Sequence, residues 1–330
     1  MRKKIFLLLA GSVLLLSTMC LSAQTPRPLS IRFVHSEAPD SPIGLMAAYF
    51  QQSVRNDIGA SNVVVEIVAD YSGFSTTGLA GALLDEKIEM AAVPFTEIAE
   101  QSPRFQVFNL PFVFSGQAAA SSFANGPWGE RLMLTLDRRG FHRLGFVEIG
   151  MKHLVSKKRV VLPEHMNGLD VTTGDSFVEQ RWIDRLGAFS NVKPYSQNSF
   201  LNAENIDGYS THYSNIPAIN SPNSKAYVLE TGHIFAASLL LTSNAFWEQI
   251  PVELKTRLSD IIEDAIEFGN TTARQMQQKS RDIVSTSNQF ELTELTLEER
   301  KRWVDASSSV WLLWGDEVGE QLLKEAASLQ

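Results

Sequence analysis

Residues 144–154 have the sequence LGFVEIGMKHL, and residues 162–172 have the sequence LPEHMNGLDVT. The first stretch predicts a strand that ends at Glu148 and a further strand near Leu154. A glycine and Lys152 lie between the two strands. The second predicts a strand over residues 169–172, which ends at Thr172. Strands and helices alternate on both sides of these stretches, so the two stretches lie at the centre of the predicted fold.

The first part of the chain predicts three strands, at residues 29–35, 63–68 and 88–93. A helix that opens at Ser41-Pro42 separates the first two strands, with proline near the first turn, where its missing N–H costs nothing. A shorter helix over residues 79–84 precedes the third. This order indicates a mostly parallel sheet that helices cover on both faces.

A second series of strands and helices follows residue 141. After the strand that ends at Thr172 it predicts a helix at 176–186, a strand near 191–194, a helix at 199–202, a strand into 207–208 and a strand at 225–229. The run at 232–240 is long for one strand, and we expect Ile234 to Leu240 to pass between two sheets as part of a hinge. The mature chain is long enough to form two lobes. Pro251 begins a long amphipathic helix that is expected to lean across both lobes, and the tail from Thr296 is again helical.

The N-terminus has the three parts of a secretory signal peptide: basic residues at positions 2–4, an apolar run over 5–16 and a small-residue exit that ends at Ala23. We expect cleavage after Ala23 and a mature periplasmic protein. Cys20 offers the alternative of a lipid-modified terminus, but the residue before it is Met19 rather than a small one.

Composition excludes several classes of function. The chain has a net charge of −8, and loss of residues 1–23, which carry three basic and no acidic side chains, lowers this to −11. Nucleic acids and anionic membranes need clustered Lys and Arg, so neither is an expected partner. The single cysteine leaves with the signal peptide, so the mature chain has no disulfide or thiolate metal site.

No motif indicates an enzyme, a metal site or a cofactor. The sequence has no Gly-x-Ser-x-Gly elbow, no phosphate-binding glycine loop and no His-Glu-x-x-His, and its six histidines are scattered. We therefore predict a binding protein without catalytic residues, metal or cofactor, acting as a monomer.

Several stretches resemble the extracytoplasmic solute receptors of TRAP transporters. The two central stretches resemble the family's central strands. The others, in the family's order, are NLPFVF at 109–114, GPWG at 126–129, RGFHRLG at 139–145, NIDG at 205–208 and Gly232-His233. The likeness covers most of the mature chain. It implies an α/β, two-lobed periplasmic binding fold with a hinge strand and a long helix that spans both lobes. Lobe I would comprise residues 24–149 and about 234–255, lobe II residues 150–233, and the helices of 251–330 would pack across both.

The resemblance also implies an altered ligand clamp. Lys152 and Thr172 stand where the family has two arginines that face the ligand carboxylate. Lysine is a point charge without a planar fork, and threonine carries no charge, so the bidentate contact is lost. Lys152 is expected to line the pocket or, alternatively, to pair with Glu148, and Thr172 is expected to contact the ligand or to be an ordinary strand residue. Arg181, or the N-terminus of the helix at residues 174–176, could supply the missing positive group.

The remaining candidate site residues lie in the Asp207–Tyr213 cluster and after the strands of lobe I, because ligands of open α/β sheets bind beyond the carboxyl ends of strands. Tyr209 and Tyr213 either contact an apolar ligand body or are core residues. The candidate ligand-binding residues are Lys152, Thr172, Glu148, Tyr209, Ser210, Tyr213, His35, Glu37, Phe74, Phe95 and Thr96.

The resulting functional hypothesis is a periplasmic receptor that closes around a small organic solute and delivers it to the membrane subunits of a TRAP-type symporter. A monocarboxylate or an acid with an aromatic or apolar body is the expected ligand, and a neutral ligand is also compatible. The alternative is a receptor-derived sensing or protein-interaction module with a degenerate clamp.

Overall fold

A computed structural model of the chain describes residues 27–69, 78–174, 176–192, 206–219 and 225–329. The signal peptide, Cys20, Phe74 and the predicted helix at 199–202 lie outside these ranges. The strands are β1 (Leu29–Val34), β2 (Val63–Val68), β3 (Met90–Pro94), β4 (Phe141–Ser156), β5 (Asp170–Thr172), β6 (Phe189–Asn191), β7 (Gly208–His212), β8 (Ala226–Glu230), β9 (Phe235–Ser243) and β10 (Phe290–Glu294). The α-helices are α1 (Pro42–Asp57), α2 (Gly78–Leu84), α3 (Phe95–Gln101), α4 (Gln117–Asn125), α5 (Pro127–Asp137), α6 (Phe177–Arg185), α7 (Asn244–Gln249), α8 (Val252–Thr286), α9 (Leu297–Val318) and α10 (Glu320–Ala327).

The predicted start of the first helix is confirmed. Ser41 is the N-cap of α1, and its hydroxyl accepts a hydrogen bond from the backbone N–H of Gly44 at 3.1 Å. Pro42 occupies the first helical position. The helix buries Met46 and Phe50 against β1 and β2, so local capping and a helical apolar period together fix this element.

The sheet is parallel at its outer strands and antiparallel at its centre. Strand order is β2-β1-β3-β9-β4-β7-β5-β6, with β8 pairing β4 and β10 pairing β8. β1 pairs β2 and β3 in parallel, and β5 pairs β6 and β7 in parallel. β9 and β4 between them are antiparallel to their neighbours. The prediction of a mostly parallel sheet therefore describes the two outer groups of strands but not the centre.

One long strand joins the two groups. The two strands predicted up to Glu148 and near Leu154 are a single strand, β4. Its residues 141–151 pair β9, and its residues 152–156 pair β7. Two register shifts interrupt the pairing with β9, between 143 and 145 and between 148 and 150. β4 is therefore the strand that passes from one half of the sheet to the other.

The expected crossing at residues 234–240 is wrong at the level of strand pairing. β9 starts at Phe235, and among the described strands it pairs with β3 and β4 alone, in the half of the sheet that contains β1 and β2. Residues 231–234, between β8 and β9, connect the two halves instead. The length of the apolar run reflects burial on both faces, which a central strand of a covered sheet requires.

The long helix α8 packs against both halves of the sheet, as predicted. Its first half buries Leu258, Ile261 and Ile262 in a cluster with residues of α1, β1 and β2. Near its C-terminus Val284 lies in a separate cluster with β8, β10 and the 3₁₀ turn Tyr213–Ala218. The C-terminal α9 is also confirmed as amphipathic, with Trp303, Val310 and Trp314 in the core. No helix within the described ranges is long and apolar enough to cross a membrane.

The register shifts of β4 depend on glycine. Gly150 has φ +135°, and a Cβ at this position would lie 2.5 Å from the Cδ and Nε2 atoms of Gln277 on α8. Gln277 is itself fixed, because its Nε2 donates to the carbonyl of Ile149 at 2.5 Å and its Oε1 accepts from the N–H of Tyr213 at 3.2 Å. The amide of Gln277 therefore has no room to yield.

We predict that Gly150→Ala lowers the free energy of unfolding by about 1–3 kcal/mol, the cost of a strained backbone at a non-glycine residue. Urea denaturation monitored by circular dichroism measures this. Gly315→Ala in α9 is the matched control, since nothing lies within 4 Å of its Cβ position. It should be neutral or stabilise by roughly 0.5–1 kcal/mol, because alanine is the better helix former. Equal effects of the two substitutions would contradict the constraint at Gly150.

Candidate functional site

A cleft lies between the carboxyl ends of the outer strands and the central strands. Its middle cavity, of about 220 Å³, is lined by residues that follow β1 and β3, by residues of β4 and β9, and by the start of α6. Cavities of about 340 and 400 Å³ adjoin it, and all three share Ser36. The chain reversals after β1 and β3 bring these residues to one edge of the sheet, where α/β proteins bind ligands.

Lys152 projects from β4 into the middle cavity and pairs with Glu179 of α6. Its Nζ lies 2.6 Å from Oε2 of Glu179, and the lysine side chain is 15% exposed while the glutamate is fully buried. The backbone of Lys152 is held by the connection to β9, since its N–H donates to the carbonyl of Ile234 at 2.8 Å. The expected alternative partner, Glu148, is therefore wrong, and Glu179 takes that role.

Two further polar side chains hold Glu179 on the side away from the cavity. The Ser210 hydroxyl donates to Oε1 of Glu179, and His233 Nε2 lies 3.5 Å from the same oxygen. Burial alone would raise the pKa of Glu179. The charge of Lys152 and the hydrogen bonds from His233 and Lys152 outweigh it and hold the pKa at about 2. Glu179 is therefore a carboxylate throughout the physiological range.

Two further titratable groups line the middle cavity. His212, at the end of β7, bonds the Ser214 hydroxyl through Nδ1 at 2.6 Å, and burial together with the charge of Lys152 lowers its pKa to about 4. Glu37, after β1, faces the middle cavity and the adjoining one, and burial raises its pKa. Among the residues that the structure describes, the middle cavity is thus lined by one cation, two acidic side chains and a neutral histidine, and three more acidic side chains, Asp40, Glu97 and Glu100, line the two adjoining cavities.

The rest of the middle cavity is largely apolar. Phe95 and Phe235 are buried there, with ring centroids 6.3 Å apart. The other apolar lining residues are Pro94, Ile149, Ile234, Ala236 and Ala237. Thr96, Asn109 and Ser176 add polar atoms at the side that opens towards the 340 Å³ cavity. This combination suits a ligand with a small polar end and an apolar body.

The structure brings four of the predicted site residues together in the cleft: Lys152, Glu37, Phe95 and Thr96. Ser210 lies directly beneath, as a donor to Glu179. Thr172 and His35 are buried but do not line the cavities described. Thr172 lies in β5 and is paired with Tyr209 of β7, and Tyr209 is half-buried outside the lining of the cleft.

Glu148 and Tyr213 line a different cavity. This cavity, of about 690 Å³, lies between α4, β4 and the second half of α8. Glu148 is held there by Gln117, whose Nε2 donates at 2.6 Å, by the Ser121 hydroxyl and by Arg274 at 3.5 Å. The register shift between residues 148 and 150 places Glu148 and Lys152 on opposite sides of β4, although strict alternation would put both on one side.

Of the two alternative positive groups, Arg181 does not line the cleft, whereas the N-terminus of α6 does so through Ser176. Arg181 is half-exposed, stacks over the ring of Phe177 at 4.7 Å and lies 4.0 Å from Asp184. The N-terminus of α6 is capped by Ser176, whose hydroxyl accepts from the N–H of Glu179 at 3.2 Å. Asp175, in the same stretch, lies outside the described ranges.

Sequence reasoning missed Glu179 and His212. Glu179 gave a signal, because it stands on a helix face with Val178, Trp182 and Ile183, which are all buried. A charged residue on a buried face needs a partner, and Lys152 was the available cation. His212 gave none, because one histidine among scattered histidines has no distinctive spacing.

His153, beside Tyr213 in the larger cavity, leads to a pH prediction. It is buried, its ring lies 4.5 Å from that of Tyr213, and its Nδ1 accepts from the N–H of Gly232 at 3.1 Å. Burial, with the nearby charges, lowers the pKa of His153 to about 3. The unfolded chain binds a proton below pH 6.5 while the native chain does not, so this contribution to stability is lost as pH falls from 6.5 towards 3.

We expect His153 to account for about 2 kcal/mol of the stability lost between pH 7 and pH 5. His153→Gln, whose amide oxygen can accept the same hydrogen bond, should therefore show a smaller difference in unfolding free energy between these pH values. Urea titrations of both proteins at pH 7 and pH 5 measure it. If both proteins lost the same unfolding free energy between pH 7 and pH 5, the result would contradict a neutral buried His153.

Comparison with known proteins identifies the family. The family model described as bacterial extracellular solute-binding protein, family 7, matches residues 33–315. The C4-dicarboxylate-binding periplasmic protein DctP of Shewanella loihica is 28% identical over 302 residues, which cover 91% of this chain and 90% of the relative.

Two solved structures extend the likeness to the fold. A TRAP periplasmic solute-binding protein from Shewanella oneidensis with bound succinate aligns with TM-score 0.82 and 26% identity, over 92% of this chain and 99% of that one. A second such protein, from Pseudomonas aeruginosa with bound L-malate, aligns with TM-score 0.76 and 26% identity, over 87% of this chain and 100% of that one. The two-lobed α/β fold is thereby confirmed. The chain belongs to the bacterial extracellular solute-binding protein family 7, the solute receptors of TRAP transporters.

Proposed function

We propose that this receptor captures a small organic acid with one carboxylate and an apolar or aromatic body, and delivers it to the membrane subunits of a TRAP-type symporter. The observation that carries the proposal is the charge of the cleft. In the part of the chain that the structure describes, Lys152 is the one Lys or Arg among the residues that line the three cleft cavities. A single cation matches a single carboxylate.

Lys152 retains capacity for a ligand. A lysine ammonium has three donors, and Glu179 engages one of them at 2.6 Å. The side chain is 15% exposed and lines the cavity, so a ligand carboxylate oxygen can reach the remaining donors. The lysine ammonium binds as a point charge, whereas an arginine guanidinium can donate two parallel hydrogen bonds to a carboxylate. Lys152 therefore fixes the orientation of the ligand carboxylate less than an arginine would.

The apolar walls support an apolar ligand body. Phe95 and Phe235 face the middle cavity with Ile149 and Ile234, so a chain or ring of the ligand would replace water there. Removal of apolar surface from water stabilises a complex by about 25 cal/mol per Å². A second carboxylate placed at this end would instead lose its hydration without a cation to compensate.

This ligand class differs from that of the three relatives named above. The Shewanella loihica protein is a C4-dicarboxylate-binding protein, and the two structures hold succinate and L-malate. In the cleft described above a dicarboxylate would meet Glu37 and Glu179 with one lysine between them. Loss of a charge-assisted partner for the second carboxylate costs on the order of 2–5 kcal/mol, or roughly 30-fold to several-thousand-fold in affinity.

We propose that ligand capture closes the lobes. Lobe I comprises residues 24–149 and about 234–255, and lobe II residues 150–233, with the bend at β4 and at residues 231–234. The protein acts as a monomer that is exported by its signal peptide. Uptake is favoured over the sensing alternative, because the relatives are periplasmic binding proteins and the cleft is formed.

The ligand prediction concerns Lys152. Aromatic and short aliphatic monocarboxylates should bind more tightly than succinate or malate, and Lys152→Gln should weaken the best monocarboxylate by about 30-fold or more, since it removes a charged partner. A thermal-shift screen followed by calorimetry measures this. Lys301→Gln is the matched control, because Lys301 is 73% exposed and pairs with Asp305 on α9.

Two outcomes would contradict this account of the cleft. One is micromolar binding of succinate or malate that survives Lys152→Gln. The other is an equal loss of affinity in Lys152→Gln and Lys301→Gln, which would mean that the effect does not arise in the cleft.

Closure is a separate prediction. Small-angle X-ray scattering should record a smaller radius of gyration with the bound monocarboxylate than without it, because hinge closure brings the lobes together. Lys152→Gln at the same ligand concentration should keep the larger radius. An unchanged profile of the wild type at saturating ligand would count against closure.

A further inference from the structure

Glu179 is a carboxylate built into the wall of a cleft that is proposed to bind acids. Its side chain is fully buried, and its Oε2 lies 2.6 Å from the Lys152 ammonium, at the surface of the middle cavity. Lys152 makes no other ion pair among the residues that the structure describes. The protein therefore supplies its own anion to the single cation of the cleft.

Helix capping does not explain the position of this carboxylate. In a capping box, a glutamate three residues after the N-cap turns back to the backbone N–H of the cap residue. Ser176 and Glu179 have that spacing, and the Ser176 hydroxyl does accept from the N–H of Glu179 at 3.2 Å. The Glu179 side chain, however, points to Lys152, Ser210 and His233. Its interactions lie in the cleft wall, not at the helix end.

Glu179 is also unable to swing aside for a ligand. Ser210 donates to it, and Ser210 in turn lies 2.9 Å from His233 Nε2. His233 is fixed by the Thr231 hydroxyl at 2.7 Å from Nδ1 and by the Trp182 ring, whose centroid is 4.7 Å away. This chain of buried contacts holds the carboxylate beside Lys152 in the cleft wall.

We infer that Glu179 determines the charge selectivity of the receptor: it acts as an internal counter-ion to Lys152 and thereby excludes ligands with two carboxylates. The inference rests on the proposed function, since it assumes that acids enter the cleft beside Lys152. With Glu179 in place, a first ligand carboxylate can take the remaining donors of Lys152 against the repulsion of Glu179, whereas a second carboxylate meets that repulsion and no further cation. Without Glu179, the charge of Lys152 balances the first carboxylate, and the second is repelled by one carboxylate fewer.

The test compares two ligands that differ by one carboxylate on the same four-carbon chain, succinate and butyrate. Calorimetry on Glu179→Gln, which keeps the shape and the hydrogen-bonding capacity of the side chain, should give measurable succinate binding. The ratio of succinate to butyrate affinity should rise by about ten- to hundredfold over wild type, because like charges in a desolvated site repel strongly. Glu179→Asp is the control that keeps the charge, and its ratio should stay near that of wild type.

Glu179→Met provides a second variant that removes the charge, with a flexible apolar side chain that fits irregular space. Glu179→Met replaces Glu179→Gln in the test if thermal unfolding shows that Glu179→Gln does not fold. The same rise in the ratio of succinate to butyrate affinity is expected. No succinate binding by the folded variant, or a loss of affinity that is equal for both ligands, would show that Glu179 is only a structural ion-pair partner and would overturn the inference.

Failure of the proposed function gives a different result. If wild type binds no monocarboxylate of the panel while Glu179→Gln binds succinate, the ligand proposal is wrong and the role of Glu179 stands. If wild type binds monocarboxylates and the ratio does not change in Glu179→Gln, the ligand proposal stands and the role of Glu179 is wrong.

Discussion

The pairing of β4 into both halves of the sheet is the constraint on which the rest of the molecule depends. A 16-residue strand that is bonded to β9 along its first part and to β7 along its last part must fit two groups of strands at once. The register shifts at 143–145 and 148–150 provide this, as β-bulges do in other sheets. The same shifts decide which side chains face the cleft.

Helix α8 stabilises these irregularities with side-chain amides. Asn270 donates to the carbonyl of Phe146 at 3.3 Å and accepts from the N–H of Glu148 at 2.8 Å. Gln277, two turns later on the same face, satisfies the carbonyl of Ile149. Backbone groups that a register shift leaves without a strand partner therefore find one on the helix, which explains how a buried central strand can be irregular at all.

Much of the fold could be predicted from the sequence because its signals are local. Strand β2 is confirmed at residues 63–68, and α1 begins at the predicted Ser41-Pro42, since β-branched runs and caps act over a few residues. The division of β4 into two strands was wrong because a bulge resembles a break in a strand. The crossing assigned to 234–240 was wrong because length alone does not tell which neighbours a strand has.

The site was less predictable because it depends on contacts between residues that are distant in sequence. The placement of Lys152 in the cleft followed from its strand and from the resemblance, whereas its partner required the packing of α6 against β7, which brings Glu179 and Ser210 together across 31 residues. The expected Glu148 partner failed because of one register shift. Side-chain direction after a bulge is set by tertiary structure, and a period of two cannot supply it.

The excess of carboxylates over cations in the cleft also affects the rate of capture. An acid ligand approaches a protein of net charge −8 and then a cavity in which Glu37 and Glu179 face one lysine. Long-range electrostatic repulsion therefore slows the association of the acid ligand with the protein, and short-range contacts in the cleft hold the ligand once it is bound. Added salt screens the repulsion over about 8–10 Å. Ionic strength should thus accelerate association, the opposite of the behaviour of a receptor that steers anions towards arginines.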